Sequence, residues 1–239
     1  MKKTTLIVLL LMDAIIIGGI IYMVGRFWNR TPAQGGVSES NSITVAVPKE
    51  MRIVSLAPNL TEILYALDLN EQIVAVSSDS NYPAQAQSLP RVGTFWQPDV
   101  EAVLLANPSL VVALGFEQQN VLAKRLRKAG CDSLSLNIES FPELFKGIER
   151  IGKAAGKPQQ AGKLVSRIQN TMVSLKQRFA GRGNPKVLWV IQREPLRVAG
   201  QKTFIDEIIR TCGGQNAIDK TLYQYPPISQ EALLASAPD

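Results

Sequence analysis

The sequence PQQAGKLVSRIQNTMVSLKQRF, Pro158–Phe179, sets the organisation of this 239-residue chain. Its apolar residues recur at alternating steps of four and three, which places them on one face of a helix; they are Ala161, Val165, Ile168, Met172, Leu175 and Phe179. The spacing therefore predicts a helix over 158–179, about 33 Å long. Such a helix is either an ordinary amphipathic helix on one domain or a spine that joins two lobes.

Similar segments lie on both sides of this helix, which favours the spine. Before it, short apolar strands alternate with helices: strands at 52–56, 73–76, 110–114 and 133–136, and helices at 60–67, 100–105, 117–129 and 141–155. After it, we expect strands at 186–191 and 196–199, a helix at 204–211, and a last helix from near Ser229. Strands that alternate with helices in this way are typical of parallel sheets covered by helices. The sequence therefore predicts an α/β fold in two lobes with parallel-type sheets.

An internal repeat relates the two sides of the long helix. EAVLLANP at 101–108 and EALLASAP at 231–238 share Glu, Ala, Leu and Pro at the same offsets. A strand is predicted after the first copy but only Asp239 follows the second, so we expect the second lobe to be C-terminally incomplete. Glu101 and Glu231 have two interpretations. They either stabilise a first helical turn or form a pair of surface acids, one on each lobe, that docks a basic partner.

The N-terminus has the pattern of an export signal. Two lysines precede an apolar run over 4–24, and two arginines follow it. The run is close to the roughly 20 residues that span a bilayer, and it is longer than the core of a cleaved signal. We therefore predict a transmembrane signal-anchor over 1–30, with a cleaved signal peptide as the alternative, and a flexible tether over 31–50. The rest of the chain then lies at the periplasmic or extracytoplasmic face, either anchored to the inner membrane or released.

Composition argues against several classes of function. The chain contains no histidine, so the commonest general base and the commonest transition-metal ligand are both missing. The formal charge of +6 is spread along the sequence, which argues against a nucleic-acid-binding arm. Cys131 and Cys212 match no metal-binding spacing, and we expect two buried free thiols. No Gly-rich phosphate loop or nucleophile elbow supports an enzyme.

Several stretches, taken together, resemble a known family. They are RIVSLAPNLTEILYAL at 52–67, the run over 74–113 that contains SNYP and GTFWQPDVEAVLLANP, PLRVAG at 195–200, CGGQNAI at 212–218, and YPPISQEALLASAPD at 225–239. The chain resembles the solute-binding proteins of ABC importers whose lobes are joined by one long helix, and in particular their cobalamin-binding branch. The resemblance implies an N-terminal lobe over 51–140, inter-lobe helices over 141–180, a C-terminal lobe over 181–239, and a ligand cleft between the lobes.

The resemblance also implies the residues of the site. Five side chains would bind the ligand, namely Tyr82, Phe95, Trp96, Arg193 and Tyr225. Aromatic faces suit a large flat ligand, and Arg193 would meet either an anionic group or an acidic neighbour. Leu114 and Asp79 stand where some cobalamin binders have aromatic residues, whereas Trp189 is assigned to the core. Neither a catalytic residue nor a resident metal is implied.

The implied function is capture of cobalamin or a related corrinoid and its delivery to a membrane permease. Glu101 and Glu231 match the docking glutamates of the family, which would form salt bridges with permease arginines. The partners are then an ABC permease, its ATPase and a small-molecule ligand. One alternative keeps the fold and binds a ferric siderophore or haem. The remaining alternatives are an enzyme on a two-lobed α/β scaffold and a non-functional fragment.

Overall fold

The computed structural model describes residues 51–128, 130–218 and 221–239. Within these residues the chain forms two compact units, an N-terminal unit that ends at Leu136 and a C-terminal unit that begins at Asn137. The predicted signal-anchor, 1–30, and the predicted tether, 31–50, lie outside the described residues. No described helix combines the length and the apolar composition that a bilayer crossing requires.

The N-terminal unit contains a parallel sheet covered by helices, as predicted. Its described strands are β1 (Ile53–Ser55), β2 (Ile73–Val76), β3 (Leu110–Leu114) and β4 (Asp132–Leu136), in the spatial order β2-β1-β3-β4. Its helices are α1 (Pro58–Ala66), α2 (Val100–Leu105) and α3 (Glu117–Lys128), with 3-10 turns at Asn70–Gln72 and Ala84–Ser88. Each predicted element lies within two residues of its observed position.

Burial on both faces explains why these strands are continuous apolar runs. Val54 and Val111 are fully buried in neighbouring strands, and Leu126 of α3 packs into the same core cluster. A parallel sheet needs such helix cover because its strands are joined by helical crossovers. All four strands run in the same direction. Their carboxyl ends therefore share one edge, which is where open α/β sheets bind ligands.

Two helices dominate the C-terminal unit. Helix α4 (Phe141–Ala154) is capped by Ser140, the residue before its first turn. The Ser140 Oγ accepts a hydrogen bond from the backbone N–H of Glu143. Helix α5 is the predicted long helix, Pro158–Phe179, and it buries Ala161, Leu164, Val165 and Ile168. Gly152 of α4 packs against Ala161 of α5 so closely that a Cβ there would overlap the alanine methyl group. The absence of a side chain at this position allows the two helices to pack closely.

The predicted parallel sheet of the C-terminal unit is only partly correct. The segment 186–191 is not one strand, because it divides into β5 (Lys186–Val187) and β6 (Val190–Gln192). Strand β5 pairs in parallel with β8 (Gln215–Asn216), whereas β6 pairs in antiparallel fashion with β7 (Arg197–Val198). Only four residues separate β6 from β7. A parallel pair needs a crossover of a dozen residues or more, so this connection enforces the antiparallel pairing.

Two side-chain predictions fail near these strands. Trp189 is half-buried and does not lie in the core, because it occupies the break between β5 and β6. Both cysteines are free thiols, but only Cys131 is buried. Cys212 is exposed because it directly follows α6 (Phe204–Thr211), where the chain leaves the helix through two glycines. The last helix, α7 (Gln230–Ser236), begins after Ser229 as predicted.

Candidate functional site

Three aromatic side chains cluster at the carboxyl edge of the N-terminal sheet. Phe95 and Trp96 lie between β2 and α2, and their ring centroids are 4.5 Å apart. Phe116 follows β3, and its ring stacks on Trp96 with a centroid distance of 5.1 Å and an interplanar angle of 23°. Trp96 is 53% exposed and Phe116 is 38% exposed, so the cluster presents ring surface to solvent. Phe95 and Trp96 are predicted from the sequence as ligand-binding residues, whereas Phe116 carries no sequence pattern that marks it.

A buried glutamine holds this cluster in place. The Gln119 Nε2 donates to the backbone oxygen of Phe95 at 2.6 Å and to that of Leu56 at 3.3 Å. Its Oε1 accepts from the backbone N–H of Leu114 at 2.5 Å. Gln119 is fully buried, and its amide therefore connects the ends of β1 and β3 to the aromatic loop. Its position in helix α3 gave no sequence signal for this role, because an amide on a helix is usually a surface residue.

Asp79 fixes the same loop from the other side. Its Oδ2 accepts a hydrogen bond from the backbone N–H of Phe95 at 2.8 Å. This position was noted in the sequence only because some cobalamin binders have an aromatic residue there. In this chain the carboxylate positions Phe95 by accepting its N–H, a charge-assisted contact that is stronger than a neutral one.

Tyr82 lies apart from the cluster. It precedes the 3-10 turn Ala84–Ser88, its side chain is 42% exposed, and no ring contact among the described residues joins it to Phe95, Trp96 or Phe116. The segment is held by its backbone, since the Asn81 oxygen accepts from Gln87 Nε2 at 3.0 Å. Tyr82 remains a predicted ligand-binding residue.

The other two predicted ligand-binding residues belong to the C-terminal unit. Arg193 is exposed on the connection between β6 and β7. Tyr225, which is 38% exposed, lies on a segment that runs beside β7, where Gly200 N–H donates to the Gln224 oxygen at 2.8 Å. Val198 N–H donates to the Pro226 oxygen at 3.2 Å, so backbone bonds on both sides position Tyr225. Arg193 and Tyr225 also remain predictions.

Glu101 lies in the first turn of a helix that is held at both ends. Asp99 Oδ1 accepts from the backbone N–H groups of Glu101 and Ala102 at 2.9 and 3.1 Å, which caps α2. At the other end, Arg52 donates to the backbone oxygens of Ala106 and Asn107 at 2.8 and 3.0 Å. The Glu101 side chain is exposed. Since Asp99 already caps the helix, the carboxylate of Glu101 is available to a partner.

Glu231 occupies the equivalent place in the C-terminal unit. The Oγ of Ser229 caps α7 by accepting from Ala232 N–H at 3.2 Å. Hydrogen bonds from the Ser229 side chain and from its own backbone N–H lower the pKa of Glu231 below its ordinary value, so this exposed carboxyl is ionised at neutral pH. The two glutamates are therefore both exposed first-turn residues of capped helices.

The two helices also end in the same way. Asn107 and Ala237 both have positive φ values, 46° and 42°. Ser109 and Asp239 follow one proline later, and each donates its backbone N–H to a backbone oxygen at the beginning of a strand: that of Arg52, directly before β1, at 2.8 Å, and that of Lys186, the first residue of β5, at 3.0 Å. Arg52 and Lys186 in turn donate their backbone N–H groups to the side-chain oxygens, at 2.9 Å to Ser109 and at 2.7 Å to Asp239. The sequence repeat thus corresponds to a structural repeat.

One carboxyl group in the N-terminal unit is buried without a partner. Glu62 of α1 is 2% exposed, and neither carboxyl oxygen has a hydrogen-bond partner among the described residues. Burial raises the pKa of Glu62 to about 8. The neighbouring Thr61 is equally buried, but it bonds to Ser55 and Ser80 at 2.8 and 3.0 Å. Glu62 is therefore the protonated, unsatisfied member of an otherwise hydrogen-bonded region.

Comparison with known proteins identifies the family. A family model described as "Periplasmic binding protein" matches residues 53–239, which includes both units and all seven candidate site residues. The chain belongs to this family. Its members are substrate-binding proteins of ABC importers, so the prediction of a binding protein and not an enzyme is confirmed. The family also implies a periplasmic or extracytoplasmic location and an ABC permease and ATPase as partners.

Individual relatives divide between two kinds of ligand. The vitamin B12-binding protein of Vibrio parahaemolyticus is 25% identical over 199 residues, which cover 83% of this chain and 72% of the relative. The crystal structure of the vitamin B12-binding protein BtuF of Vibrio cholerae superposes with a TM-score of 0.68 at 28% identity, covering 78% of this chain and 73% of that one. The heme-binding protein RhuT of Roseiflexus sp. RS-1 gives a TM-score of 0.71 at 28% identity, covering 80% and 74%.

Proposed function

We propose that this protein captures cobalamin or a related corrinoid and delivers it to an ABC permease. The observation that carries the proposal is the cluster of Phe95, Trp96 and Phe116 at the carboxyl edge of the sheet, in a chain similar to vitamin B12-binding proteins. Tyr82, Arg193 and Tyr225 would be further contacts of the ligand. The protein would be held at the inner membrane by the signal-anchor predicted over 1–30.

The aromatic cluster has the properties that a large flat ligand requires. Stacked or tilted ring contacts contribute about 0.5–1.5 kcal/mol each beyond the area that they bury. Trp96 and Phe116 are about half and one-third exposed, so a ligand can remove substantial ring surface from water. Asp79 and Gln119 hold the backbone of Phe95 before the ligand arrives. Such preorganisation favours affinity because less side-chain and loop entropy is lost on binding.

Glu101 and Glu231 would dock the protein on the permease. Both carboxylates are exposed, and both lie on helices that are capped by another side chain. Each could form a bidentate salt bridge with an arginine of the permease, which fixes orientation as well as distance. Two such contacts, one on each unit, would orient the bound ligand over the translocation path.

Haem is the second candidate ligand, favoured by the likeness to RhuT. A haem would use the same aromatic surface, because stacking on a flat macrocycle does not depend on the identity of its metal. Histidine is absent from the chain, so a side-chain ligand for the iron would have to come from another residue type such as tyrosine.

A binding titration separates the two ligands. Cyanocobalamin and hemin are added separately to the purified protein, and binding is measured by calorimetry and by quenching of tryptophan fluorescence. We expect micromolar or tighter binding of cyanocobalamin, weakened about tenfold in Phe116→Ala. Phe145→Ala is the control, because Phe145 stacks on Phe141 in the other unit and is half-buried. Tight binding of hemin alone would transfer the proposal to haem, and binding of neither would refute it.

A further inference from the structure

A groove with apolar walls runs between helices α2 and α3 of the N-terminal unit. It has a volume of about 490 Å³, and its walls are formed by Trp96, Pro98, Val100, Val121 and Leu122. Val121 is 48% exposed, and Leu104, one turn after Val100 on α2, is 43% exposed. Exposed aliphatic side chains on two adjacent helices leave a surface that gains free energy when a partner covers it.

Arg125 is the charged side chain among the described residues that line this groove. The polar lining consists of Gln97 and Arg125, and none of these described lining residues is a carboxylate. Arg125 lies one turn after Val121 on the same face of α3, and Lys124 and Lys128 are exposed beside it. The ion pair found within 4.0 Å among the described residues, Arg210 with Asp206, lies in the other unit. Arg125 is therefore a cation that no described carboxylate pairs with.

The groove is continuous with the proposed docking point. Val100 contributes to the groove, and Glu101, the next residue of α2, is exposed. The nearby carboxylate of Asp99 is occupied by the cap of α2. A partner that contacts Glu101 through an arginine is therefore close to a groove whose lining includes apolar side chains and Arg125.

We propose that this groove receives a permease loop that carries a large apolar side chain and a carboxylate. The apolar side chain fills the space between Val100 and Val121, and the carboxylate pairs with Arg125. This inference rests on the proposed permease docking and adds a third contact of opposite charge to it. An acid and a base at neighbouring points define a direction, so the pair would reject a partner that is rotated or displaced.

The test measures binding of the purified protein to its cognate ABC permease–ATPase complex, reconstituted in lipid nanodiscs. We expect Arg125→Glu to weaken binding about tenfold at low salt, with a smaller loss at 1 M salt because the charges are then screened. Val121→Ser should weaken it about fivefold, since most of the apolar contact is lost. Arg127→Glu, the same charge reversal on α3 but outside the groove, and Val173→Ser, on an exposed valine of α5, are matched controls.

Further variants and controls distinguish binding of a permease loop in the groove from the other possible roles of the groove. If Glu101→Gln together with Glu231→Gln weakens binding but the groove variants bind like wild type, the groove proposal fails and the docking proposal stands. If none of these variants changes binding, both proposals fail. Equal binding to nanodiscs without permease would assign the groove to lipid, and a self-association that Val121→Ser abolishes would assign it to a second copy. Unchanged ligand affinity in Arg125→Glu is required, because a loss would place Arg125 in the ligand site.

Discussion

Replacing the buried carboxyl of Glu62 with an amide should stabilise the N-terminal unit, and the gain should depend on pH. The carboxyl has no partner for either oxygen, and its pKa is raised from an ordinary value of 4.5 to about 8. Glu62→Gln replaces the protonated acid with an amide of nearly the same shape. The substitution therefore removes the ionisation while it keeps the volume of the side chain.

The magnitude follows from proton linkage. Below pH 4.5 the carboxyl is protonated in both the folded and the unfolded chain, so it makes no difference to stability. Between pH 4.5 and pH 8 the unfolded chain releases the proton and the folded chain retains it, so the wild type loses stability as the pH rises. Each pH unit in this interval corresponds to about 1.36 kcal/mol. The loss is then under about 1 kcal/mol at pH 5 and about 3 kcal/mol at pH 7.

Urea unfolding followed by the fluorescence of Trp96 measures this effect. The other tryptophans, Trp28 and Trp189, are replaced by phenylalanine so that the signal reports the N-terminal unit. We expect the free energy of unfolding of Glu62→Gln to exceed that of the parent by about 3 kcal/mol at pH 7 and by less than about 1 kcal/mol at pH 5. Glu71→Gln, at an exposed position of the same unit, is the control and should change stability by less than about 0.5 kcal/mol.

If the free energies of unfolding of the two proteins differ by the same amount from pH 5 to pH 8, the reasoning is refuted. Such a constant difference would mean that folding does not change the proton affinity of Glu62, whatever the buried position of the side chain. Carbon-13 NMR of the carboxyl group gives an independent check, since its midpoint should lie near 8 in the folded protein.

Four further substitutions test other parts of the structure. Gly152→Ala should destabilise the C-terminal unit by about 2 kcal/mol because the added methyl group overlaps Ala161. Gly162→Ala, where the added methyl group meets open space on α5, should instead stabilise the unit by about 0.5–1 kcal/mol. Urea unfolding measures both changes. Ala237→Gly should raise the thermal stability by about 1 kcal/mol because φ at this residue is positive. Gln119→Leu should lower stability by about 2 kcal/mol and weaken ligand binding, because backbone groups of Leu114 and the aromatic loop lose their partner.

Each of these expectations has a contradicting outcome. Equal stabilities for the two glycine variants would show that the helices separate easily. A loss of stability in Ala237→Gly would show that the left-handed conformation is not strained. Normal ligand affinity in a folded Gln119→Leu protein would show that the aromatic loop keeps its position without the glutamine.

Local patterns made most of the N-terminal unit predictable. Apolar strands such as Leu110–Leu114 and helices with clear starts and stops, such as Val100–Leu105, carry their structure in short stretches of sequence. The division of 186–191 was not predictable in this way, because an unbroken apolar run does not show that its two halves pair with different partners. That outcome depends on the short connection to β7 and on the position of β8, which are non-local.

The candidate site was predictable to a similar degree. Phe95 and Trp96 were inferred from a resemblance, and Glu101 and Glu231 from a repeat that the structure reproduces in its hydrogen bonds. Phe116 was missed because one aromatic residue after a strand has no distinguishing pattern. The contacts of Gln119 were missed for a physical reason: its three partners come from segments up to 63 positions away, so only the folded chain brings them together.

Helices α2 and α7 are held by the same set of local contacts. Residues 99–109 and 229–239 are eleven-residue segments that share a side-chain cap, an exposed glutamate, a left-handed residue, a proline and a reciprocal bond to a strand. Outside its segment each helix contacts strand backbone, and α2 is held further by the side chain of Arg52 and by the burial of Val103 in the core of the N-terminal unit, whereas α7 buries no residue. A chain that carried the segment 99–109 in both places would present two identical acidic contacts to its partner.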